Sequence, residues 1–131
     1  MNKRGAWDET HESGWHKSVV EGVGKDEPMV VNENGGGQSR SLYRMDLVDP
    51  KAILATAKVL KEGADKYGAE NWRLIDVDDH LNHLLIHVYA YLAGDRSDEH
   101  LSHAVCRALF ALGVSLQTEE DVAVANKIKS T

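Results

Sequence analysis

The stretch that decides the fold is Asp78–Arg107, DDHLNHLLIHVYAYLAGDRSDEHLSHAVCR, in the central part of the chain. It carries five of the protein's seven histidines: His80, His83, His87, His100 and His103. Spacings of three and four residues place the histidines of each half on one face of a helix. The segment around Gly94 separates the two halves. The stretch therefore predicts a helical hairpin with one histidine stripe on each helix.

Helical patterns continue on both sides of this hairpin. Asp49 and Pro50 suit the N-cap and first position of a helix, and Gly68 suits a left-handed cap at its end. Ser97 and Thr118 are further candidate N-caps. The predicted helices are 50–67, about 78–93, one opened by Ser97, and a short 119–128. These elements predict an all-α fold: a bundle of three to four helices with an irregular, glycine-rich N-terminal segment.

Large apolar residues recur at helical spacing on both hairpin helices, beside the histidines. Such stripes normally face the core of a soluble protein. The residues expected in the core are Val77, Leu81, Leu84, Leu85, Val88 and Leu92 on the first hairpin helix, and Leu101, Ala104, Val105, Ala108, Leu109 and Leu112 on the second.

Length and composition restrict the class of protein. A chain of 131 residues with 42% hydrophobic and 27% charged residues fits one globular domain. The net charge of −6 makes duplex nucleic acid an unexpected partner. One cysteine, Cys106, allows no intrachain disulfide. The absence of an apolar stretch of about 18 residues argues against a membrane partner, and the absence of a signal region predicts a cytoplasmic location.

Three segments are expected along the chain. Residues 1–28 form a flexible arm or one that packs on a partner, with Trp7 and Trp15 as isolated anchors. Residues 29–117 form the helical domain that contains the histidine hairpin. Residues 118–131 form a short C-terminal helix or tail.

A glycine run, Gly35–Gly37, is flanked by polar side chains in the sequence NENGGGQS, residues 32–39. Glycines such as Gly36 allow close approach of the backbone, and successive amides can hold an anion. Glu33 and Gln38 add polar groups for a ligand. A flexible linker is the alternative interpretation. The run is not a P-loop, because the Gly-Lys-Ser/Thr ending is missing.

Two further segments contain groups suited to a nucleotide. Trp72, between Asn71 and Arg73, can stack on a base, or it can simply fill the core under its loop. Lys66, Arg73 and Arg107 are candidate phosphate ligands, and Arg107 shares a helix stripe with His100 and His103.

The histidine stripes predict a divalent metal site between the two helices. The expected ligands are His83, His87, Asp98 and His100. An imidazole and carboxylate set is compatible with Mn or Co, whereas Mg prefers oxygen ligands. His83, His87 and His103 are the candidate catalytic residues. A histidine acting as a general base without metal, or a polar surface stripe, remains an alternative.

The run from Asn32 to about Leu112 resembles the phage and bacterial dATP/dGTP diphosphohydrolase domain, related to the MazG-like all-α NTP pyrophosphatases. The matching stretches are NENGGGQS (32–39), RMDLVDPKAI (44–53), VLKEGADKYGAENWR (59–73), HLNHLLIHVYAYLAGD (80–95) and DEHLSHAVCRALFAL (98–112). The resemblance implies a helical, often oligomeric protein. It also implies cleavage of a purine deoxynucleoside triphosphate to monophosphate and pyrophosphate, with a divalent metal (Mn, Mg or Co) as cofactor.

One departure from the wider superfamily is visible. The superfamily holds Mg with the acidic motifs Glu-Glu-x-x-Glu and Glu-x-x-Asp, whereas the equivalent helices here carry His83/His87 and His100/His103. Either the metal ligands have changed, or the catalytic machinery differs or is absent.

Three functions therefore follow as hypotheses. The first is metal-dependent hydrolysis of a purine (deoxy)nucleoside triphosphate, in which Lys66 or Arg107 holds phosphate and Gln38 and Trp72 contact the base. The second is a non-catalytic phage accessory protein that sequesters a nucleotide, including a signalling nucleotide. The third is a homo-oligomer whose histidines serve as pH-sensitive interface residues.

Overall fold

The computed structural model describes residues 19–130, and the chain divides into two compact units, residues 1–47 and 48–131. The predicted anchors Trp7 and Trp15 lie outside the described residues. Each unit is considered by itself below.

The first unit contains a small antiparallel hairpin of β1 (Met29–Val31) and β2 (Gly37–Ser39), in which Val30 pairs with Gln38. Asn32 organises the turn: its side-chain oxygen accepts hydrogen bonds from the backbone N–H groups of Asn34 and Gly36, each at 2.9 Å. A short 3-10 helix, Met45–Leu47, follows. The glycine-rich segment expected to be irregular therefore includes a regular two-stranded element.

Helix α1 spans Pro50–Tyr67, as the sequence predicts. The Asp49 side chain caps it by accepting a hydrogen bond from the backbone N–H of Ala52 at 2.8 Å. Gly68 ends the helix at φ 96° and ψ 144°. The positive φ explains the glycine, but the ψ is extended, so the left-handed helical cap that we predicted does not form.

The central hairpin consists of α2 (Val77–Leu92) and α3 (His100–Leu116), which pack extensively on one another. The predicted N-cap Ser97 is wrong, because α3 begins at His100 with Glu99 in the N-cap position. The hydroxyl of Ser97 instead donates to the carboxylate of Asp95 at 2.7 Å, so it is used inside the connecting loop.

Helix α4 spans Glu119–Lys129, and Thr118 caps it through a reciprocal capping box with Asp121. The helix packs on a 3-10 helix, Asn71–Leu74, that precedes α2, while α1 packs on α3. This arrangement confirms the predicted all-α bundle. Within residues 19–130, no helix is both long and apolar enough to cross a membrane.

The interior differs from the predicted core. The buried apolar residues of the described chain are Val59, Ala104, Cys106, Ala111 and Ala125, and the buried polar ones are Thr56, His80 and His100. The large side chains expected inside are exposed: Leu85 is 49% and Leu112 is 57% exposed. The helices therefore pack through small residues and through His80 and His100. Ala104, expected in the core, is buried, whereas most of the large apolar side chains face outward.

Candidate functional site

Three histidines from the two hairpin helices meet near the loop that joins them. His87 is on α2, and His100 and His103 lie one turn apart on α3. The His87 ring stacks on that of His103 with centroids 4.8 Å apart and planes 13° from parallel. The His87 and His100 rings are 5.2 Å apart. The two stripes predicted from the sequence therefore do face one another.

The closest approach is between two ring nitrogens. His87 Nδ1 and His100 Nδ1 lie 3.0 Å apart. Two nitrogens bound to one tetrahedral metal ion at about 2.0–2.1 Å would be roughly 3.3 Å apart. The two histidines therefore approach the spacing of a ligand pair with only a small adjustment.

Asp95 fixes the orientation of His100 from the hairpin loop. Its Oδ2 lies 2.5 Å from His100 Nε2, and Ser97 donates to the same oxygen. The hydrogen bond to His100 is the main cause that lowers the pKa of Asp95, so the carboxylate stays ionised. A charged acceptor holds the proton on Nε2 and leaves the Nδ1 lone pair of His100 directed at His87.

Asp98 supplies a carboxylate beside the same rings. Its Oδ1 accepts from the backbone N–H of Glu99 at 2.8 Å and lies 3.4 Å from His103 Nε2. The Glu99 hydrogen bond is the first cause of a lowered pKa at Asp98. Burial, followed by the neighbouring His103 and His100, lowers the pKa of His87. An ionised carboxylate beside a neutral imidazole is the protonation state that metal binding requires.

His87, Asp98 and His100 form a group whose potential ligand atoms all lie within 4.8 Å of one another. We refer to these three residues, which could hold a metal ion, as the metal centre. A donor set of two imidazole nitrogens and a carboxylate oxygen suits Zn, Mn or Co, so the residues present fit a divalent cation. His83, predicted as a further ligand, is exposed on α2 one turn before His87 and is not a member of this group.

Arg107 lies on α3 one turn beyond His103 and is half-buried. Its Nη1 is 3.1 Å from His80 Nδ1, and its charge contributes to the lowered pKa of His87. Burial lowers the pKa of Arg107 itself. The structure thus brings a cation to the neighbourhood of the metal centre.

Trp72 already has two partners. Phe110 stacks on it with centroids 5.1 Å apart and planes 6° from parallel, and the Arg73 guanidinium lies over the indole at 4.3 Å. This packing agrees with the alternative in which Trp72 fills the core under its loop. Lys66 is exposed on α1, with its Nζ 5.1 Å from the ring of Tyr67.

The glycine run belongs to the first unit. The N–H groups of Asn34 and Gly36 donate to the Asn32 side chain, and that of Gly35 donates to the Asn32 carbonyl at 3.0 Å. Three successive amides that we expected to hold an anion are therefore used in the turn. Glu33 and Gln38 are exposed.

Sequence reasoning missed the role of two residues at the site. Asp95 was not predicted to orient His100, because a loop residue five positions before His100 follows no helical spacing. His80 was placed on the same stripe as His83 and His87, yet its ring is buried and contacts Trp72 and Arg107. Neither contact follows from local sequence, since both depend on how the elements pack.

Comparison with known proteins supplies the family. Residues 32–123 match the model of the family described as dATP/dGTP diphosphohydrolase, N-terminal. No curated protein and no solved structure matches the chain at a significant level. The match spans well over half of the sequence and includes the whole histidine hairpin. This chain belongs to the dATP/dGTP diphosphohydrolase N-terminal family.

Proposed function

We propose that this protein hydrolyses a purine deoxynucleoside triphosphate to the monophosphate and pyrophosphate with the help of a divalent metal ion. The observation that carries the proposal is the 3.0 Å approach of His87 Nδ1 to His100 Nδ1 beside Asp98. The family name supports a nucleotide substrate and a diphosphohydrolase reaction.

The metal would be held by His87, Asp98 and His100, with His83 as a candidate further ligand from the preceding turn. A divalent ion bound there lowers the pKa of water and neutralises phosphate charge. Asp95 holds His100 in the tautomer that presents Nδ1. The mixed nitrogen and oxygen donors favour Mn or Co over Mg.

The remaining residues bind substrate and move a proton. Hydrolysis to monophosphate and pyrophosphate requires water to attack a phosphorus of the α–β anhydride, with loss of a proton from the water, while the bond from that phosphorus to the bridging oxygen breaks. His103, whose Nε2 faces Asp98 at 3.4 Å, is our candidate general base through its Nδ1. Arg107, assisted by Lys66, is our candidate ligand for the phosphate chain.

The candidate base-binding residues are Glu33, Gly36, Gln38 and Trp72. Glu33, Gly36 and Gln38 belong to the first unit, and three amides of that turn are directed at Asn32. Trp72 would have to exchange a present contact for a base. Within the first unit, taken by itself, the exposed side chains of Gln38 and Glu33 are better candidate ligand groups than the turn amides.

The test is to incubate the purified protein with each deoxynucleoside triphosphate and Mn, Co or Mg, and to separate the products by chromatography. We expect monophosphate and pyrophosphate from dATP or dGTP, and more than a hundredfold loss in His87→Ala and Asp98→Asn. Asp65→Asn is the matched control, since Asp65 is an exposed helix residue paired only with Lys61 in the described structure. Binding of nucleotide without turnover, unchanged by a chelator, would instead support the sequestering function.

We also propose self-association through the exposed apolar stripes of the hairpin. Leu81, Leu85 and Leu92 of α2 and Leu101, Val105, Leu109, Leu112 and Leu116 of α3 are all more than 40% exposed. Exposed apolar patches of this kind mark protein interfaces. A second copy would bury the residues that the sequence analysis expected in the core.

A further inference from the structure

His80 is a histidine of the hairpin that stands outside the metal centre. Its ring is fully buried, with 0% exposure. Nε2 lies 2.9 Å from the backbone carbonyl of Trp72, and Nδ1 lies 3.1 Å from Arg107 Nη1. A carbonyl only accepts and a guanidinium only donates. His80 is therefore a neutral imidazole that carries its proton on Nε2 and presents a lone pair on Nδ1.

The surroundings hold this ring in place. Phe110 lies 5.3 Å from the His80 ring at an angle of 55°, and the same phenyl ring stacks on Trp72. Burial is the largest cause of a lowered pKa at His80, which favours the neutral form further. Protonation of Nδ1 would replace an acceptor by a donor facing another cation. The contact thus works only in one tautomer.

Arg107 is the group that His80 orients. It is half-buried, and among residues 19–130 no carboxylate lies within salt-bridge distance of it. A partly buried charge without a counterion is unfavourable. A neutral acceptor such as His80 Nδ1 directs the guanidinium but leaves its positive charge unbalanced. An aspartate in place of His80 would balance that charge and compete with an anionic ligand.

We propose that His80 is a positioning residue that fixes the Arg107 guanidinium for the phosphate chain of the substrate. The inference rests on the proposed function, since it takes Arg107 as the phosphate ligand. The principle applies to any anion. A neutral, buried acceptor fixes the orientation of a cation without neutralising its charge, so the cation can still bind an anion. The anion would lie beside the metal centre, because Arg107 is one turn beyond His103 on α3 and the His103 ring stacks on that of His87.

The experiment measures the affinity for inorganic tripolyphosphate by calorimetry, with chelator present, in a double-mutant cycle. His80→Phe keeps a ring of similar size but removes the acceptor. We expect it to weaken tripolyphosphate binding about tenfold or more, the usual effect of losing a hydrogen bond to a charged group. Arg107→Gln should weaken binding at least as much. The double variant should bind tripolyphosphate no more weakly than Arg107→Gln alone, because both changes remove the same contact between His80 and Arg107.

His80→Asn provides the rescue, since its amide oxygen can take the position of Nδ1. It should retain affinity within about threefold of the original protein even if the bond to Trp72 is lost. Circular dichroism and thermal melting accompany every variant. If His80→Phe does not fold, His80→Leu, which also removes the acceptor, takes its place in the cycle.

Several outcomes would overturn the inference. The first is an unchanged affinity for tripolyphosphate in folded His80→Phe or in Arg107→Gln. The second is a double variant in which the losses of the two single variants add. The third is a loss of affinity of tenfold or more in folded His80→Asn. Failure of the proposed function would give a different result. No triphosphate would be hydrolysed, while tripolyphosphate binding would still depend on His80 and Arg107 together. Binding of Mn alone should be the same in all four variants, because none alters the metal centre.

Discussion

Gly113 offers a prediction in which two physical effects oppose each other. It lies inside α3, where replacement by alanine would ordinarily stabilise a helix by about 1 kcal/mol. A Cβ at Gly113, however, would lie 2.8 Å from Cζ3 and 2.9 Å from Cη2 of Trp72. Favourable carbon contacts begin at about 3.5 Å, so the overlap is roughly 0.6–0.7 Å with two ring atoms.

Trp72 cannot withdraw freely, because it stacks on Phe110 and is covered by Arg73. Overpacking of this kind costs about 1–3 kcal/mol. After the gain in helix propensity of about 1 kcal/mol is subtracted, a range of about 0–2 kcal/mol remains. We expect Gly113→Ala to destabilise the protein by about 1 kcal/mol, the middle of that range. For a unit of this size that corresponds to a fall in Tm of about 4–8 °C.

Gly63 is the matched control. It lies in the interior of α1, and a Cβ there meets no atom within 4 Å. Gly63→Ala should therefore raise the free energy of unfolding by about 0.5–1 kcal/mol. Urea denaturation and thermal melting of both variants measure the two effects.

A third variant isolates the cause. In a Trp72→Leu background, the clash is removed, so Gly113→Ala should become neutral or stabilising relative to that background. A Gly113→Ala variant as stable as the original protein would refute the reasoning. So would a destabilisation that persists unchanged without the indole, because the contact with Trp72 would then not be its origin.

Three further predictions concern the metal, protonation and assembly. Asp95→Asn should weaken Mn binding about 10–100-fold in calorimetry, since the amide cannot hold His100 Nε2–H as the carboxylate does; an unchanged Kd would contradict this. The metal-free protein should lose stability in urea titrations as pH falls below 6.5. Burial lowers the folded-state pKa of His80 from 6.5, so the unfolded chain then binds more protons. A stability that rises on acidification would contradict a lowered pKa at His80. Leu85→Glu should lower the oligomeric mass in light scattering, whereas Val124→Glu, equally exposed on α4, should leave it unchanged; equal effects would argue against the hairpin stripes.

Local sequence was sufficient for most of the helices. Asp49 and Pro50 satisfy the requirements of a helix start through short-range contacts, so α1 begins where the sequence predicts. Thr118 does the same for α4. The predicted N-cap at Ser97 failed because its hydroxyl forms a different hydrogen bond. It donates to Asp95 instead of capping α3.

The candidate site was predictable in part. The three-residue and four-residue spacings brought His87, His100 and His103 to facing stripes, and those rings do meet. The contribution of Asp95 was not predictable, because it depends on the path of the loop. The role of Gly113 was not predictable either: α3 continues through it, and the missing side chain makes room for Trp72.

The sequence by itself determined that this is a helical protein with two opposed histidine stripes, because helical period and capping are local properties. Only the tertiary structure decided which face of each helix is buried. Apolar stripes such as that of Leu85 suggested a leucine core, but burial depends on what packs opposite, and the small side chains of Ala104 and Ala111 let the helices approach through their histidine faces. That packing gave His80 its fixed tautomer and left the leucines exposed.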